Sequence, residues 1–135
     1  MKKLLLIILF GLSVELSAHD YTKAMRLYES SNYKDAIPLL TVLSNKGDAR
    51  AQFNLATLYD GGYGVEIDPV KAVKWYRKAA LQGHIKAQHL LSLSYCLGSG
   101  AIQDFKKCAK WAKKARKDGF NNDELWNEFE LWEYK

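Results

Sequence analysis

The sequence predicts an all-α, right-handed solenoid built from three helical hairpins and a C-terminal capping helix. The main observation is an internal repeat, because Gly62 and Trp75 return as Gly98 and Trp111, each 36 residues later. A fixed period of this length is typical of solenoid proteins, in which each unit packs on its neighbours. The second observation is that each unit holds two segments whose apolar residues recur at the spacing of a helix.

Each repeat unit contains signals for the start and the end of its helices. Apolar residues recur at helical spacing over 51–59, and over 70–81 they fall on one side while lysines fall on the other. Asp68 and Pro69 suit the start of the second helix, since an Asp side chain caps an N-terminus and Pro lacks an N–H that would be unpaired there. Gly83 stands where the second helix ends, a position that often needs positive φ.

The stretch YDGGYGV at 59–65 is consistent with either a phosphate-binding loop or a turn. Its Gly62 and Gly64 recur as Gly98 and Gly100. A phosphate loop follows a strand, occurs once and leads into a lysine with a serine or threonine. Here no strand is predicted before the glycines, and the pattern occurs twice. We therefore predict turns between the two helices of each unit.

The outer parts of the chain predict a shorter hairpin and a cap. In the hairpin at about 20–47, Asp35 caps a second helix that begins late enough to keep Pro38 in its first turn. Residues 121–134 predict one amphipathic helix, since the last unit of a solenoid needs one polar face. Its apolar stripe holds Leu125, Phe129 and Trp132, and its polar side holds Glu124, Glu128 and Glu133. With the full units at about 48–83 and 84–119, these segments form one domain over 19–135, in whose core we expect the recurring Tyr59, Trp75, Tyr95 and Trp111.

The first 18 residues predict a secretory signal peptide that is not part of the fold. Lys2 and Lys3 precede an apolar run over 4–10, and the segment ends in small residues up to Ala18. The run is shorter than the roughly 20 residues that a transmembrane helix needs, although a retained anchor stays open as an alternative. Cleavage after Ala18 would place the protein in the periplasm or outside the cell, where disulfides persist.

The unit AQFNLATLYDGGYGVEIDPVKAVKWYRKAALQG at 51–83 resembles the Sel-1-like repeat, a branch of the tetratricopeptide-type α/α solenoids. The shared features are the Ala-Gln start, Leu-x-x-Leu-Tyr, Gly-x-Gly-Val, Lys-Ala, Trp-Tyr, Lys-Ala-Ala and the final Gly. The next unit departs from the pattern at Ser94, Ala101, Cys108 and Ala112. The first hairpin is similar to a plain tetratricopeptide unit, so that the resemblance covers about 20–119.

The resemblance implies an adaptor, because members of the family mostly hold other proteins together through the groove between stacked helices. Exported bacterial members are implicated in envelope assembly, host interaction and signalling. The groove positions of the superfamily correspond here to Tyr21, Met25, Tyr28, Phe53, Asn54, Thr57, Asp60, His89 and Leu93. Aromatic, apolar and amide side chains suit an extended segment or a helix of a partner protein. The alternative is that Met25, Phe53 and Leu93 only pack between adjacent first helices.

The resemblance also raises an enzymatic alternative, since cysteine-rich proteins of Helicobacter type are often labelled as β-lactamase or penicillin-binding. Ser31 and Lys34 match the S-x-x-K pair of penicillin-recognising enzymes, in which the lysine takes the proton of the serine. No S-D-N motif follows, and Lys117-Asp118-Gly119 matches K-T-G poorly. That branch pairs cysteines in every repeat, whereas this chain has only two. The sequence therefore favours a protein that is not an enzyme.

No metal, cofactor or nucleic-acid site is predicted. His84 and His89 are five residues apart and point to different sides of a helix, whereas two helical metal ligands are four apart. Nucleic acid is not an expected partner of an exported protein whose capping helix is acidic. We expect a monomer.

Lysines at matching positions of the two full repeats predict a basic ladder on the outer face of the solenoid. They are Lys71, Lys74 and Lys78 in one repeat and Lys107, Lys110 and Lys114 in the next. The ladder is either a solvated helix face or a surface that attracts an anionic cell envelope.

Cys96 and Cys108 predict a disulfide within the third hairpin. Cys96 ends the first helix and Cys108 lies early in the second, so that two antiparallel helices bring them together near the bend at Gly98. Export and an even number of cysteines both favour the bond. The alternative is that both cysteines are ordinary small buried residues.

Overall fold

The computed structural model describes residues 18–134. The predicted signal peptide, apart from Ala18, lies outside the described residues. Helix α1 covers 18–29 of the described chain. The elements that follow are α2 Tyr33–Asn45, α3 Ala49–Gly61, α4 Pro69–Leu81, α5 Ile85–Leu97, α6 Phe105–Lys117, α7 Asp123–Glu128 and a 3-10 helix at Leu131–Tyr134.

The helices form three antiparallel hairpins, α1–α2, α3–α4 and α5–α6, which stack in chain order. From α2 to α6, each helix packs against the next one in the chain. Residues 18–134 contain no strand, and none of their helices has the length and apolar character needed to cross a membrane. The predicted all-α solenoid with a C-terminal cap is therefore confirmed.

Alanines at the helix contacts allow the helices to approach each other closely. Ala24 of α1 and Ala36 of α2 are fully buried in the core of the first hairpin, and Ala56 and Ala72 are buried between α3 and α4. Because an alanine loses no side-chain entropy on burial, these contacts cost little to order. Leucines such as Leu55 fill the remaining volume of the core.

The turn glycines are required by the backbone, as predicted, and Gly64 also lies where two adjacent hairpins meet. Gly62 and Gly98 end α3 and α5 with φ of 67° and 70°, in the left-handed region that glycine adopts without strain. A Cβ at Gly64 would lie 2.6 Å from Cβ of Tyr33, at the start of α2, so that no larger residue fits between these two hairpins.

Helix α2 begins earlier than predicted. Its N-cap is Asn32, not Asp35, and Pro38 lies inside the helix rather than in its first turn. Pro38 has no N–H to donate to the carbonyl of Lys34, one turn earlier. Because Pro38 and Lys34 are both exposed, water can bond to that carbonyl, and the helix continues.

The cap is not one continuous helix. It breaks after α7, where Glu130 adopts a φ of 50°, and resumes as the 3-10 helix. The break changes the buried face, which consists of Leu125, Trp126 and Leu131, whereas Trp132 is 43% exposed. The predicted stripe of Leu125, Phe129 and Trp132 is therefore wrong for Trp132, because a bent chain does not keep one helical period.

The recurring aromatic residues are less deeply buried than expected. Tyr95 is buried, but Tyr59, Trp75 and Trp111 are only partly buried at the edge of the core. Lysine side chains cover two of these rings: the Nζ atom of Lys78 lies 4.4 Å from the ring centre of Trp75, and that of Lys71 lies 5.2 Å from Tyr59. Long lysine stems cover aromatic surface while their charge stays in water.

Candidate functional site

A cleft of about 400 Å³ lies on the layer formed by the first helix of each hairpin. It lies between α1, α3 and the start of α5, and we call it the α3 cleft. Four of the predicted groove residues line it: Tyr21, Met25, Phe53 and Asn54. Four further residues complete the lining: Arg50, His84, Ile85 and Lys86. The structure thus brings together four of the seven groove residues predicted in the first two hairpins, whereas Tyr28, Thr57 and Asp60 do not line this cleft.

The polar groups on the floor of the α3 cleft bond to each other. Asn54 is buried, and its Nδ2 donates to Oη of Tyr21 at 3.2 Å and to Sδ of Met25 at 3.0 Å. Outside the cleft lining, Tyr28 of α1 and Thr57 of α3 share a hydrogen bond of 3.1 Å between their hydroxyl groups. These hydrogen bonds hold α1 against α3. Those of Asn54 also fix its side-chain amide in the floor of the cleft.

Phe53 contacts both the cleft and the core. Its ring stacks on His84 with 4.5 Å between ring centres and lies 6.0 Å from the ring of Tyr76. Burial lowers the pKa of His84, so that its ring is neutral at pH 7. Nδ1 of His84 accepts the backbone N–H of Ala87 at 3.3 Å, which caps helix α5.

The basic rim of the α3 cleft was missed by the sequence analysis. Arg50 lies over the ring of Tyr21, with 3.9 Å between its Cζ and the ring centre, and its Nη2 donates to Asp48 at 2.7 Å. Lys86 is exposed on the opposite side of the cleft. Arg50 and Lys86 occupy the same position of successive repeats, and this periodic placement of a cation is the signal that could have identified them.

The other predicted groove residues lie apart from the α3 cleft. His89 and Leu93 line a second depression of about 600 Å³ between α5 and α7, which we call the α7 cleft. His89 stacks on Phe120 at 4.3 Å between ring centres, and burial lowers its pKa. Asp60 is exposed and accepts a hydrogen bond of 3.3 Å from Oη of Tyr76, on helix α4.

The α7 cleft is acidic. The capping segment contributes most of its lining, with Asn121, Asn122, Asp123, Glu124, Leu125 and Glu128. Asn122 is already satisfied, since its Nδ2 donates to the carbonyl of Ala112 and its Oδ1 accepts from Nε1 of Trp126. The groove side of the molecule therefore changes from basic near α3 to acidic near α7.

The serine–lysine pair lies outside both clefts. Ser31 is in the turn between α1 and α2 with a φ of 60°, and its backbone N–H donates to Tyr28. Ser31 and Lys34 are both exposed, so water surrounds the groups that a penicillin-recognising site would hold in a dry pocket. Within residues 18–134, no group of three or more His, Cys, Asp or Glu residues could hold a metal ion.

The structure joins Cys96 and Cys108 by a disulfide, as the sequence predicts. Their Cα atoms are 5.3 Å apart, and both residues are fully buried. The bond connects the end of α5 to the first turn of α6 next to Gly98. It therefore closes the third hairpin at its bend.

The basic ladder is partly neutralised. Lys71 and Lys107 form ion pairs of 3.3 and 3.2 Å with Asp68 and Asp104, the residues that cap their own helices. Each aspartate also accepts a backbone N–H, and these bonds hold its pKa below the usual range. The ladder residues are all exposed, but their charge is not uniform along the surface.

This arrangement of stacked hairpins with a groove along their first helices defines an α/α repeat scaffold. The chain belongs to the Sel1 repeat family, whose model matches residues 7–34, 49–84 and 85–120. Proteins of this family are commonly protein-interaction scaffolds and are generally not catalytic. The first match overlaps the predicted signal peptide. Among curated protein sequences, none matches this chain.

Solved structures show the same fold. The Sel1 repeat protein from Oxalobacter formigenes is 35% identical with a TM-score of 0.70, over 73% of this chain and 41% of that one. A protective antigen present in uropathogenic Escherichia coli strains and displaying an SLR fold is 28% identical with a TM-score of 0.75, over 80% of this chain and 24% of that one. Helicobacter pylori cysteine rich protein B is 22% identical with a TM-score of 0.62, over 64% of this chain and 65% of that one. At this identity the similarity shows the fold alone. The chain thus spans less than half the length of the first two.

Proposed function

We propose that this protein is an exported adaptor that holds a segment of a partner protein in its groove. The observation that carries the proposal is the α3 cleft, in which a floor of bonded side chains, Asn54 with Tyr21 and Met25, lies beneath an open rim. A floor that is already ordered loses little conformational entropy when a partner binds. The rim residues Arg50, Ile85 and Lys86 remain available for contacts with the partner.

The chemistry of the α3 cleft favours a partner segment with both apolar and acidic side chains. Met25, Phe53 and Ile85 offer apolar contact, while Arg50 and Lys86 attract carboxylates. Arg50 is already paired with Asp48, whereas Lys86 has no carboxylate at ion-pair distance within residues 18–134 and can therefore pair with a new partner.

Capture of a partner in the native cell tests the proposal. Crosslinking followed by mass spectrometry should retain a protein partner with the wild-type chain and lose it with Ile85→Ser combined with Lys86→Ala. The matched control is Val70→Ser with Lys71→Ala, an apolar residue and a lysine at the start of α4 on the other layer. Equal loss in both double variants, or no retained protein at all, would contradict a groove adaptor.

The double variant Phe53→Ala with His89→Ala tests whether these two residues bind a partner or pack in the core. If these residues only bind a partner, capture is lost while the melting temperature stays nearly unchanged. If they belong to the core, the melting temperature falls by about 10 °C or more, because loss of a buried Phe side chain costs about 3–5 kcal/mol. The contacts of Phe53 with His84 and Tyr76 favour a measurable decrease.

The enzymatic alternative is separable by one assay. The purified protein is incubated with a chromogenic β-lactam, in parallel with Ser31→Ala. An adaptor gives no turnover in either sample. Turnover that disappears with Ser31→Ala would replace the adaptor proposal by a hydrolase.

Export rests on the predicted signal peptide and agrees with the disulfide, because disulfides persist in oxidising compartments. Mass spectrometry of the protein isolated from its own cells tests it. A mature N-terminus at His19 is expected. Detection of residues 7–34 as an intact segment of the isolated protein would instead favour the interpretation that they form the first repeat.

A further inference from the structure

A third cleft, of about 470 Å³, lies on the layer formed by the second helices of the hairpins. It is bounded by Leu81 at the end of α4 and by one side of α6, and we call it the Leu81–Trp111 cleft. Leu81 is 69% exposed and Trp111 is partly buried. Four lysines complete the lining: Lys110, Lys113, Lys114 and Lys117. An apolar hollow is thus surrounded by cations on the side of the molecule opposite the groove.

The charge around this cleft is mostly uncompensated. Of its four lysines, Lys114 pairs with Asp118 at 3.2 Å. Within residues 18–134, no carboxylate lies at ion-pair distance from Lys110, Lys113 or Lys117. Helix α6 contains no acidic residue at all. Three lysines without a carboxylate partner therefore lie beside the apolar residues of this cleft.

The preceding repeat lacks this combination. Its counterpart of Trp111 is Trp75, whose ring is covered by Lys78, and its counterpart of Leu81 is the polar Asn45. The pairing of Lys71 with Asp68 does not distinguish the repeats, since Lys107 pairs with Asp104 in the same way. The two repeats therefore differ in their exposed apolar residues rather than in their unpaired cations.

We propose that the Leu81–Trp111 cleft docks the protein on an anionic phospholipid bilayer. Tryptophan and leucine side chains enter the interfacial region, while lysine stems lie along it and their ammonium groups meet lipid phosphates. Each lysine near such a surface strengthens binding about fivefold at physiological ionic strength. Because the cleft is on the second-helix layer, a docked molecule would present the groove on its first-helix layer away from the bilayer.

Sedimentation of the full-length chain with lipid vesicles tests this docking. Vesicles of phosphatidylcholine with about one third phosphatidylglycerol are compared with vesicles of phosphatidylcholine alone. The triple variant Lys110→Gln, Lys113→Gln and Lys117→Gln should lose on the order of 100-fold in partitioning to the anionic vesicles. The matched control, Lys71→Gln with Lys74→Gln and Lys78→Gln, removes the same net charge and should lose less than about fivefold.

The control separates docking at the cleft from simple charge attraction. All samples keep residues 1–17, so any contribution of that segment is the same in each. Equal losses in both triple variants would show attraction by net charge only and would overturn the proposal. Stronger binding of poly-glutamate than of anionic vesicles would overturn it in favour of an acidic protein segment. Circular dichroism of each variant checks that the helices are unchanged.

Insertion of the apolar residues has its own measurement. Lipids brominated near the headgroup should quench the tryptophan fluorescence of the wild-type chain on anionic vesicles, and Trp111→Phe should remove most of this quenching. Trp75→Phe is the control and should leave it in place. Leu81→Asn, which copies the residue of the preceding repeat, should reduce partitioning severalfold. Quenching that survives Trp111→Phe would contradict docking through this cleft.

Discussion

The second and third hairpins use the same backbone but hold their two helices together in different ways. In the second hairpin, Tyr76 of α4 is 2% exposed and donates a hydrogen bond of 3.3 Å to Asp60 at the end of α3. In the third hairpin, the matching positions are Ala112 and Cys96. Neither the large ring nor the carboxylate is present there, and the disulfide from Cys96 to Cys108 joins the helices at the same end.

The comparison shows that one repeat fold accepts two solutions to the same packing requirement. The second hairpin fills the space between its helices with an aromatic ring, which stabilises through buried apolar area and contact with neighbours. The third hairpin has small residues along α6 and relies on a covalent bond and on the capping segment, since Asn122 donates to the carbonyl of Ala112. Different perturbations should therefore destabilise the two hairpins.

The largest expected effect is that of Tyr76→Ala. Removing a buried aromatic ring costs about 3–5 kcal/mol and should lower the melting temperature by about 10 °C or more. Thermal unfolding followed by circular dichroism measures the change. Tyr76→Phe is the control and should cost much less, because it removes only the hydroxyl group. A small effect of Tyr76→Ala would show that the second hairpin does not depend on its ring.

The next effect is loss of the disulfide. Cys96→Ala with Cys108→Ala should reduce the free energy of unfolding by about 3 kcal/mol, the value expected for a loop of 12 residues. Urea unfolding with and without a reductant measures it, and the reductant should destabilise the wild type but not the double variant. Two free thiols in unreduced protein from its own compartment would contradict the bond.

A smaller effect is expected when the disulfide is transferred to the second hairpin. Asp60→Cys with Ala72→Cys places cysteines at the positions that match Cys96 and Cys108. Because the backbones correspond, the new pair should oxidise, and titration of thiols in the unfolded protein should find none free. The gain in stability should be below about 3 kcal/mol, since Tyr76 loses its hydrogen-bond acceptor. Failure to oxidise would show that the two bends differ.

The smallest effect is a difference in the response to acid. Helices α3 and α5 are capped by Asp48 and His84 at matching positions. Burial raises the pKa of Asp48, but Arg50 and two backbone N–H groups outweigh burial and hold it below 3.8. Burial lowers the pKa of His84 below 6.5. Below pH 6.5 the unfolded chain therefore binds more protons at this histidine than the folded chain, and stability decreases.

Urea unfolding at pH 7 and pH 5 measures this difference. The His89→Gln chain should lose up to about 1 kcal/mol, the contribution of one N-cap, whereas the cap at Asp48 should be lost only below about pH 4. His84→Asp should remove most of the change between pH 7 and pH 5. Because burial also lowers the pKa of His89, the comparison is made in a His89→Gln background. An unchanged acid response in His84→Asp would contradict the assignment.

Much of the architecture could be predicted because it depends on local chemistry that repeats. Asp68 and Asp104 cap their helices through their own side chains, and Gly62 and Gly98 end helices in the left-handed region. Such signals act within a few residues and need no knowledge of distant contacts. The pairing of two cysteines could also be predicted, since both lie next to one tight bend.

The candidate site was predicted only in part, because a position in a repeat does not say which neighbour uses a side chain. Asn54 lies in the groove as expected, but its amide is bonded to Tyr21 and Met25. Arg50 lines the cleft because Tyr21 supports its guanidinium, a contact across 29 residues. The break in the cap likewise depends on how Trp126 and Leu131 reach the core.

The sequence by itself determined the period, the helices, the turns and the covalent bond, because capping groups, glycines and small residues act over a few positions. Only the tertiary structure decided where the surface is free to bind. The pairs of Lys71 with Asp68 and of Lys107 with Asp104 form within one helix end, but stacking of the hairpins places Leu81 beside α6 and opens a cleft there, where Lys110 and Lys113 have no carboxylate partner within residues 18–134. The physical reason is that desolvation and Coulomb attraction depend on distances between repeats, which the spacing of residues along one chain does not specify.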